Sequence, residues 1–128
     1  MKYYYSKIIR DTDFDKAVEK VTASLKEQGF GILTEIDVKA TLKEKIDQDF
    51  RPYKILGACN PPYAYQALSA EDKIGTMLPC NVIVQQTEAG IEVAAIDPVA
   101  SMQAVENKDL QAIANEIQGR LKKSIDKL

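Results

Sequence analysis

The first part of the chain carries hydrophobic residues at helical spacing. Between Asp13 and Gly29 they recur at steps of four, three and four residues: Phe14, Val18, Val21 and Leu25. This spacing places side chains on one face of an α-helix, for which Thr12 or Asp13 can provide the N-cap. Gly29 is placed to end the helix in a left-handed conformation, with Phe30 packed against Leu25. The pattern therefore predicts an amphipathic helix with one face on a core.

Three runs of alternating or β-branched residues predict strands around this helix. Residues 2 to 9 are rich in tyrosine and isoleucine, and residues 30 to 37 alternate with the period of two that a strand shows. Pro52 introduces a third run over residues 53 to 58. Gly57 lies near the end of that run, where the missing side chain suggests the close approach of another backbone.

Two further helices are predicted between strands. Residues 38 to 48 contain apolar residues at four-residue steps among lysines and glutamates, which is typical of a short surface helix, and Asp37 is placed to cap it. After the third strand, Asn60 can cap a helix that has Pro61 at its first position, where the missing N–H of proline costs nothing. Both helices are expected to be insertions between strands.

The last part of the chain predicts a hairpin and a long closing helix. Residues 79 to 86 and 91 to 96 are two runs joined by a short connection, which indicates an antiparallel hairpin. Asp97, followed by a proline, begins a short helical segment, and Asn107 can cap the final helix. The apolar stripe of that helix consists of Leu110, Ile113, Ile117, Leu121, Ile125 and Leu128.

The order of these elements defines the expected fold. A strand, a helix, four further strands and a closing helix, with two inserted helices, predict an α+β domain in the order β-α-β-(α)-β-(α)-β-β-α. We expect a mostly antiparallel five-stranded sheet with helices packed on one face. The length of 128 residues suits one domain with a single core, so residues 1–128 are assigned to it.

Composition argues against several classes of function. The 17 basic and 19 acidic residues give a formal net charge of −2, which provides no field to gather nucleic acid or anionic lipid. The chain has no histidine, which removes the commonest general base and metal ligand. The first residues lack the apolar run of a signal peptide, and no apolar stretch approaches the length of a membrane span. We therefore expect a cytoplasmic protein without nucleic-acid or membrane partners.

Both cysteines lie within residues 57 to 81, and each is followed by an asparagine: Cys59-Asn60 and Cys80-Asn81. If the third and fourth strands are antiparallel neighbours, the end of one lies beside the start of the other, and the cysteines meet at one end of the sheet. Free thiols are expected in a reducing compartment, with a disulfide as the alternative. Cys59 comes one residue before a predicted helix cap, where N–H groups favour a thiolate.

Each candidate site residue also has a purely structural interpretation. The cysteines suit small buried hydrophobes, and the asparagines suit caps or side chains that satisfy nearby backbone groups. Arg51 can hold an anion or form a surface salt bridge. Tyr63 can line a pocket or pack in the core. The candidate binding residues are Cys59, Asn60, Cys80, Asn81, Arg51 and Tyr63, and Cys59 and Cys80 are also the candidates for a metal ion.

Four blocks of the sequence resemble a known family. They are Gly-Phe-Gly-Ile-Leu-Thr-Glu-Ile-Asp at 29 to 37, Arg-Pro-Tyr-Lys-Ile-Leu-Gly-Ala-Cys-Asn-Pro at 51 to 61, Ile-Gly-Thr-Met-Leu-Pro-Cys-Asn-Val at 74 to 82, and Ala-Ile-Asp-Pro at 95 to 98. With these blocks the chain is similar, from about residue 14 to about residue 104, to the bacterial and archaeal domain-of-unknown-function family numbered three hundred and two. The resemblance implies a compact α+β domain of the TATA-binding-protein-like, helix-grip type and a homodimer. It implies no established reaction.

Three functions from different classes fit these observations. The first is a binding module that responds to a ligand, a soft metal ion such as Cu(I) or the redox state, with both Cys-Asn pairs at the mouth of a pocket. The second is a thiol-dependent oxidoreductase or transferase with Cys59 as nucleophile and Cys80 as resolving partner. The third is a structural homodimeric domain that binds a partner. We favour the first, because the helix-grip arrangement readily makes a cavity and the sequence supplies no general base.

Overall fold

The computed structural model describes residues 2–128, and its elements follow the predicted order. They are β1 (Tyr4–Ile9), α1 (Phe14–Glu27), β2 (Gly31–Asp37), α2 (Val38–Ile46), β3 (Tyr53–Cys59), α3 (Pro61–Ala70), a 3₁₀ helix (Asp72–Met77), β4 (Cys80–Thr87), β5 (Gly90–Ile96), α4 (Pro98–Ser101) and α5 (Lys108–Asp126). The 3₁₀ helix between α3 and β4 is the one element with no counterpart in the sequence pattern.

The five strands form a single sheet in the order β1-β5-β4-β3-β2, and every neighbouring pair is antiparallel. β4 and β5 form the predicted hairpin, closed where Thr87 pairs with Gly90. β1 pairs with β5 at one edge of the sheet, and β2 pairs with β3 at the other. The prediction of an α+β fold with a five-stranded antiparallel sheet is confirmed.

Helices α1 and α5 cover one face of the sheet. The alternation along β4 shows this directly, because Cys80, Val82 and Val84 are buried whereas Asn81 between the first two is exposed. The main core combines the apolar stripes of the two helices with the covered face of the strands. Its members include Ala17, Val21, Leu25, Leu56, Val82, Val84, Val93, Ile117, Leu121 and Ile125.

The ends of α1 and the start of α2 follow the predicted capping residues. Asp13 and Asp37 each accept a hydrogen bond from the backbone N–H three residues on, at 2.8 Å and 2.9 Å. Gly29 has a φ of +90°, and the N–H of Phe30 donates to the carbonyl of Leu25 at 3.0 Å, as in a Schellman ending. These local signals are therefore confirmed.

The close approach at Gly57 involves side chains and not a backbone. A Cβ added to Gly57 would lie 2.1 Å from Oγ1 of Thr34 and 2.7 Å from Cγ of Pro79. The expectation of a neighbouring backbone was wrong, because side chains next to both flanking strands fill the space that the missing Cβ leaves.

The second face of the sheet, here called the outer face, carries partly exposed apolar residues. By strand alternation and register it includes Tyr4, Tyr53, Ile55, Ile83 and Ile96. Helix α2 lies against β2 and β3 and buries none of its own residues. Within residues 2–128 no helix has both the length and the hydropathy that crossing a membrane requires.

Candidate functional site: an apolar cavity at the end of the sheet

A cavity of about 260 Å³ lies where β3 ends and β4 begins. Its lining brings together four of the six residues that the sequence singled out: Cys59, Asn60, Tyr63 and Cys80. Leu33, which also lines the cavity, is 66% exposed, so the cavity opens to solvent beside this residue.

Small residues on two facing helices create the space. Helix α3 contributes Ala64 and Ala67 to the lining, and α5 contributes Ala114 between two isoleucines of its apolar stripe. Ala67 and Ala114 are both buried, and they belong to a second hydrophobic cluster with Met102. Protein interiors are close-packed, so a row of alanines where two helices meet leaves volume that longer side chains would fill.

The two cysteines reach the same end of the sheet, as expected for antiparallel neighbours. They are not directly opposed, because Cys80 pairs with Ala58 while Cys59 pairs with Gly31 on the other side of β3. A cross-strand disulfide needs two side chains on one face at the same register position. Both cysteines are free thiols in this structure, and the disulfide alternative has no support from the register.

Burial distinguishes the two thiols chemically. Cys59 is partly exposed, whereas Cys80 is 8% exposed and belongs to the main core. Burial, and to a smaller extent the neighbouring Cys59, raise the pKa of Cys80 from 9.0 to about 11. Cys80 is therefore a neutral thiol near pH 7, which argues against its acting as the resolving thiolate of a thiol enzyme.

Asn60 occupies the N-cap position of α3, but its side chain does not cap the helix. The side chain forms no capping hydrogen bond; its Nδ2 donates instead to the backbone carbonyl of Gln28, at 3.1 Å. Gln28 is the C-cap of α1, and its carbonyl otherwise lies outside the helical hydrogen-bond ladder. The sequence-based interpretation of Asn60 as a side-chain cap was wrong, because the asparagine ties α3 to α1.

Tyr63 belongs to a polar network that holds α3 against α5. Its ring lines the cavity, while its hydroxyl donates to Oε1 of Glu116 at 3.3 Å and accepts from Nη2 of Arg120 at 3.3 Å. The Tyr63 hydroxyl, and then Glu116, raise the pKa of Arg120 above its usual range. Arg120 also donates to the carbonyl of Gln28, so α1, α3 and α5 meet at this point.

Arg51 and Asn81 lie away from the cavity. Asn81 follows Cys80 in β4, so its side chain points to the outer face, beside Ile83. Nε of Arg51 donates to Oε1 of Gln85 at 2.8 Å, and its guanidinium stacks 4.4 Å from the ring centroid of Phe50. Neither Arg51 nor Asn81 is among the residues that line the cavity with the two cysteines.

The side chains at this site that could bind a soft metal ion are those that contain sulfur. Met102 lines the cavity together with Cys59 and Cys80, and sequence reasoning did not find it because a single methionine after a short helix carries no signal of its own. Within residues 2–128 no group of three or more His, Cys, Asp or Glu side chains is arranged to hold a metal ion.

These features define a class of protein: an α+β domain with helices on one face of an antiparallel sheet and a cavity at the sheet end. The chain belongs to the family described as Domain of unknown function DUF302, whose model matches residues 5–128. The resemblance carried by the four sequence blocks is thereby confirmed, over a longer part of the chain than those blocks span.

A solved structure supports the same fold. It is described as the crystal structure of uncharacterized conserved protein DUF302 from Bacillus stearothermophilus, and this chain is similar to it with 28% sequence identity and a TM-score of 0.91. The similarity covers 98% of this chain and 98% of that chain. No curated protein matches the chain.

Proposed function

We propose that the protein is a binding module for a compact, uncharged and largely apolar ligand. The observation that carries the proposal is the cavity itself, whose walls are apolar side chains from α3, α5 and the strand ends. Pockets that bind small molecules are concave and mostly apolar, with a few polar or reactive groups that fix orientation. The thiols of Cys59 and Cys80 provide such groups.

The volume sets the size of the ligand. An apolar cavity of roughly 150 Å³ holds benzene, so by proportion a cavity of this kind takes roughly ten non-hydrogen atoms. This proportion uses the cavity volume of about 260 Å³. A nucleotide or a coenzyme of similar bulk is too large to be enclosed.

The lining also argues for a ligand without charge. No Lys, Arg, Asp or Glu side chain is among the described residues that line the cavity. Transfer of an ionised group into apolar surroundings without a partner is strongly unfavourable. A phosphate or carboxylate in this cavity would have no counter-charge, which leaves neutral ligands as the favoured class.

The proposal is tested by comparing the binding of small probes before and after a substitution places a larger side chain in the cavity. Cyclohexanone and indole serve as uncharged probes, and their binding is measured as a rise in melting temperature with ligand concentration. Ala114→Leu places a larger side chain in the cavity, while Ala112→Leu makes the same change at an exposed position of the same helix. We expect the parent and Ala112→Leu to be stabilised by at least one probe, and Ala114→Leu to lose the effect.

Two results would count against a binding cavity. One is a melting temperature that does not respond to any compact apolar probe in the parent protein. The other is an equal response in Ala114→Leu and the parent, which would locate the binding elsewhere on the molecule.

We propose separately that the outer face pairs two copies of the chain. Strands about 4.8 Å apart, with a rise of about 3.3 Å per residue, give a five-stranded sheet a face of roughly 500 Å². Two such faces bury roughly 1,000 Å² together, which is near the lower limit of specific interfaces. The partly exposed Ile55, Ile83 and Ile96 supply apolar contacts across this face.

Sedimentation equilibrium tests the pairing. Ile83→Lys introduces a charge at the centre of the outer face, and Ile46→Lys introduces the same charge at an exposed position of α2. We expect a dimer for the parent and for Ile46→Lys, and a monomer for Ile83→Lys. A monomeric parent, or a dimer that tolerates Ile83→Lys, would contradict this arrangement.

A further inference from the structure

Two of the described side chains that line the cavity carry nitrogen or oxygen, namely Asn60 and Tyr63. The hydroxyl of Tyr63 already donates to Glu116 and accepts from Arg120. The amide of Asn60 uses its nitrogen, which donates to the carbonyl of Gln28 at 3.1 Å. No donor of residues 2–128 forms a hydrogen bond to the other branch of this amide, the oxygen Oδ1. Polar recognition inside the cavity therefore depends on Asn60.

The neighbours of Asn60 fix which branch of its amide is the oxygen. The carbonyl of Gln28 can only accept hydrogen bonds, so the atom that faces it is the amide nitrogen, and Oδ1 occupies the other branch. Nη1 of Arg120 donates to the same carbonyl at 3.3 Å, in agreement with its role as acceptor. The exchanged orientation would set two acceptor oxygens against each other.

The side chain of Asn60 lies on the face of the sheet that the helices cover. Its backbone is extended, with a φ of −105° and a ψ of 98°, so it continues the alternation of β3, in which Leu56 and Ala58 are buried. Asn60 itself is 7% exposed. Ala58 and Asn60 both line the cavity, on the same face as the walls that α3 and α5 provide.

Oδ1 of Asn60 keeps accessible surface although the residue is nine-tenths buried. Within residues 2–128, every side-chain nitrogen or oxygen that is shut off from solvent has a hydrogen-bond partner. Oδ1 has none in this part of the chain, so it is not shut off, and the open space that Asn60 borders is the cavity. An unpaired acceptor therefore lies in the wall of an otherwise apolar space.

The start of helix α3 explains why Oδ1 has no local partner. An N-cap asparagine normally accepts through this atom from the N–H of the second or third helical residue. Pro61 and Pro62 occupy the first two positions and have no N–H. The side chain of Asn60 turns to Gln28 and does not accept from the N–H of Tyr63 either. The oxygen is thus left for a group from outside the chain.

We propose that Oδ1 of Asn60 accepts a hydrogen bond from the ligand, so that the cavity selects compact neutral molecules with an N–H or O–H group, such as indoles, phenols and cyclic alcohols. This inference rests on the proposed binding function. A buried acceptor that stays unpaired is costly, and a ligand that cannot donate leaves it unpaired. A ligand with a donor gains this bond while its ring contacts the alanines of α3 and the isoleucines of α5.

The test compares two ligands of the same size and shape. Indole has an N–H where benzofuran has an acceptor oxygen, and the two molecules have equal numbers of non-hydrogen atoms. Isothermal titration calorimetry of the parent protein gives the Kd of each. We expect indole to bind about tenfold more tightly than benzofuran, which is the effect of one hydrogen bond to an acceptor that is otherwise unpaired.

Matched variants locate the preference at Asn60. Leucine has the same branched shape as asparagine but no acceptor, so Asn60→Leu is expected to bind both ligands with similar Kd. The carbonyl of Gln28 keeps its bond from Arg120 in this variant. Asn81→Leu makes the same change at an exposed position outside the cavity and is expected to keep the preference of the parent for indole. A change in cavity volume affects both ligands and cancels in the ratio of their affinities.

A measurement on the parent protein alone covers the case in which Asn60→Leu does not fold. The resonance of Cγ, the side-chain carbonyl carbon of Asn60, is followed by NMR in protein made with isotope-labelled asparagine. We expect indole to shift this resonance, because its N–H donates to the attached oxygen. Benzofuran at equal occupancy is expected to shift it much less.

The outcomes separate this inference from the binding function. If neither ligand binds the parent, both proposals fall. If both bind with equal Kd, or benzofuran binds more tightly, the cavity is a binding site and the selection of donors by Asn60 is refuted. A preference for indole that persists in Asn60→Leu, or an equal shift of the Asn60 resonance with both ligands, would also overturn the inference.

Discussion

At the scale of single residues, the alternation of side chains along a strand determines which of the candidate residues line the cavity. The sequence drew attention to Cys59-Asn60 and Cys80-Asn81 as equivalent pairs, but Asn81 follows Cys80 on a strand and therefore points to the other face. Asn60 was predictable as an N-cap position from Pro61 after it. Its actual partner, the carbonyl of Gln28, was not predictable, because that contact depends on where α1 ends in space.

The buried thiol of Cys80 gives a prediction about stability and pH. The pKa of Cys80 is raised from 9.0 to about 11, so between these values the folded state keeps a proton that the unfolded state releases. The free energy of unfolding therefore falls as pH rises through this window, by roughly 2–3 kcal/mol from this group. Denaturant titrations of the parent and Cys80→Ala at pH 8, 9, 10 and 11 give the free energy of unfolding of each protein. We expect this free energy to fall more steeply with pH in the parent than in Cys80→Ala.

The comparison with Cys80→Ala isolates one thiol among many titrating groups. All other titrating groups are the same in both proteins, so their contribution cancels in the difference between the two slopes of unfolding free energy against pH. Parallel curves for the two proteins would mean that the thiol of Cys80 ionises as freely in the folded state as in the unfolded one, contrary to its burial.

At the scale of elements, α3 forms one wall of the cavity, and hydrogen bonds to other elements hold both of its ends. Asn60 and Tyr63 hold its N-terminal part, and Nδ2 of Asn107 donates to the carbonyl of Ala70 at its last residue, at 2.9 Å. Helix existence and capping were predictable because they depend on residues within a few positions of each other. The hydrogen bonds that hold α3 in place were not predictable, because they join residues that are far apart in sequence.

Asn107 has two roles that substitution separates. Its Oδ1 accepts from the N–H groups of Asp109 and Leu110, at 3.1 Å and 3.2 Å, and caps α5, while its Nδ2 holds the end of α3. Asn107→Ala removes both and is expected to lower the free energy of unfolding by about 1–2 kcal/mol. Asn107→Ser keeps a capping oxygen and is expected to lose about half as much.

Hydrogen exchange distinguishes the bond from Asn107 to the carbonyl of Ala70 from the capping of α5 by the same side chain. Amides in the last turn of α3 are expected to exchange faster in both variants than in the parent, because both lose the bond to the carbonyl of Ala70. If Asn107→Ser protects these amides as well as the parent does, the side chain of Asn107 does not hold α3 in place.

At the scale of the whole molecule, periodicity was enough to predict the architecture but not the cavity. The α+β fold was predictable from three patterns: the apolar stripes of α1 and α5, the alternation along the strands, and the short connection of the hairpin. Together they predicted a mostly antiparallel sheet of five strands with one face covered by helices. The cavity depends on two alanines, Ala67 and Ala114, that face each other across helices α3 and α5. Their sequence positions indicate burial only, because an alanine in a stripe looks the same whether or not a neighbour fills the space beside it.

The central claim is that this cavity accepts a compact apolar guest, and diffraction from crystals held under xenon pressure tests it most directly. Apolar cavities of this kind bind xenon without chemical change to the protein. We predict anomalous density for xenon between α3 and α5, close to Ala67 and Ala114, and none there in Ala114→Leu. Side chains that fill the space, or xenon found only at other positions, would contradict the account.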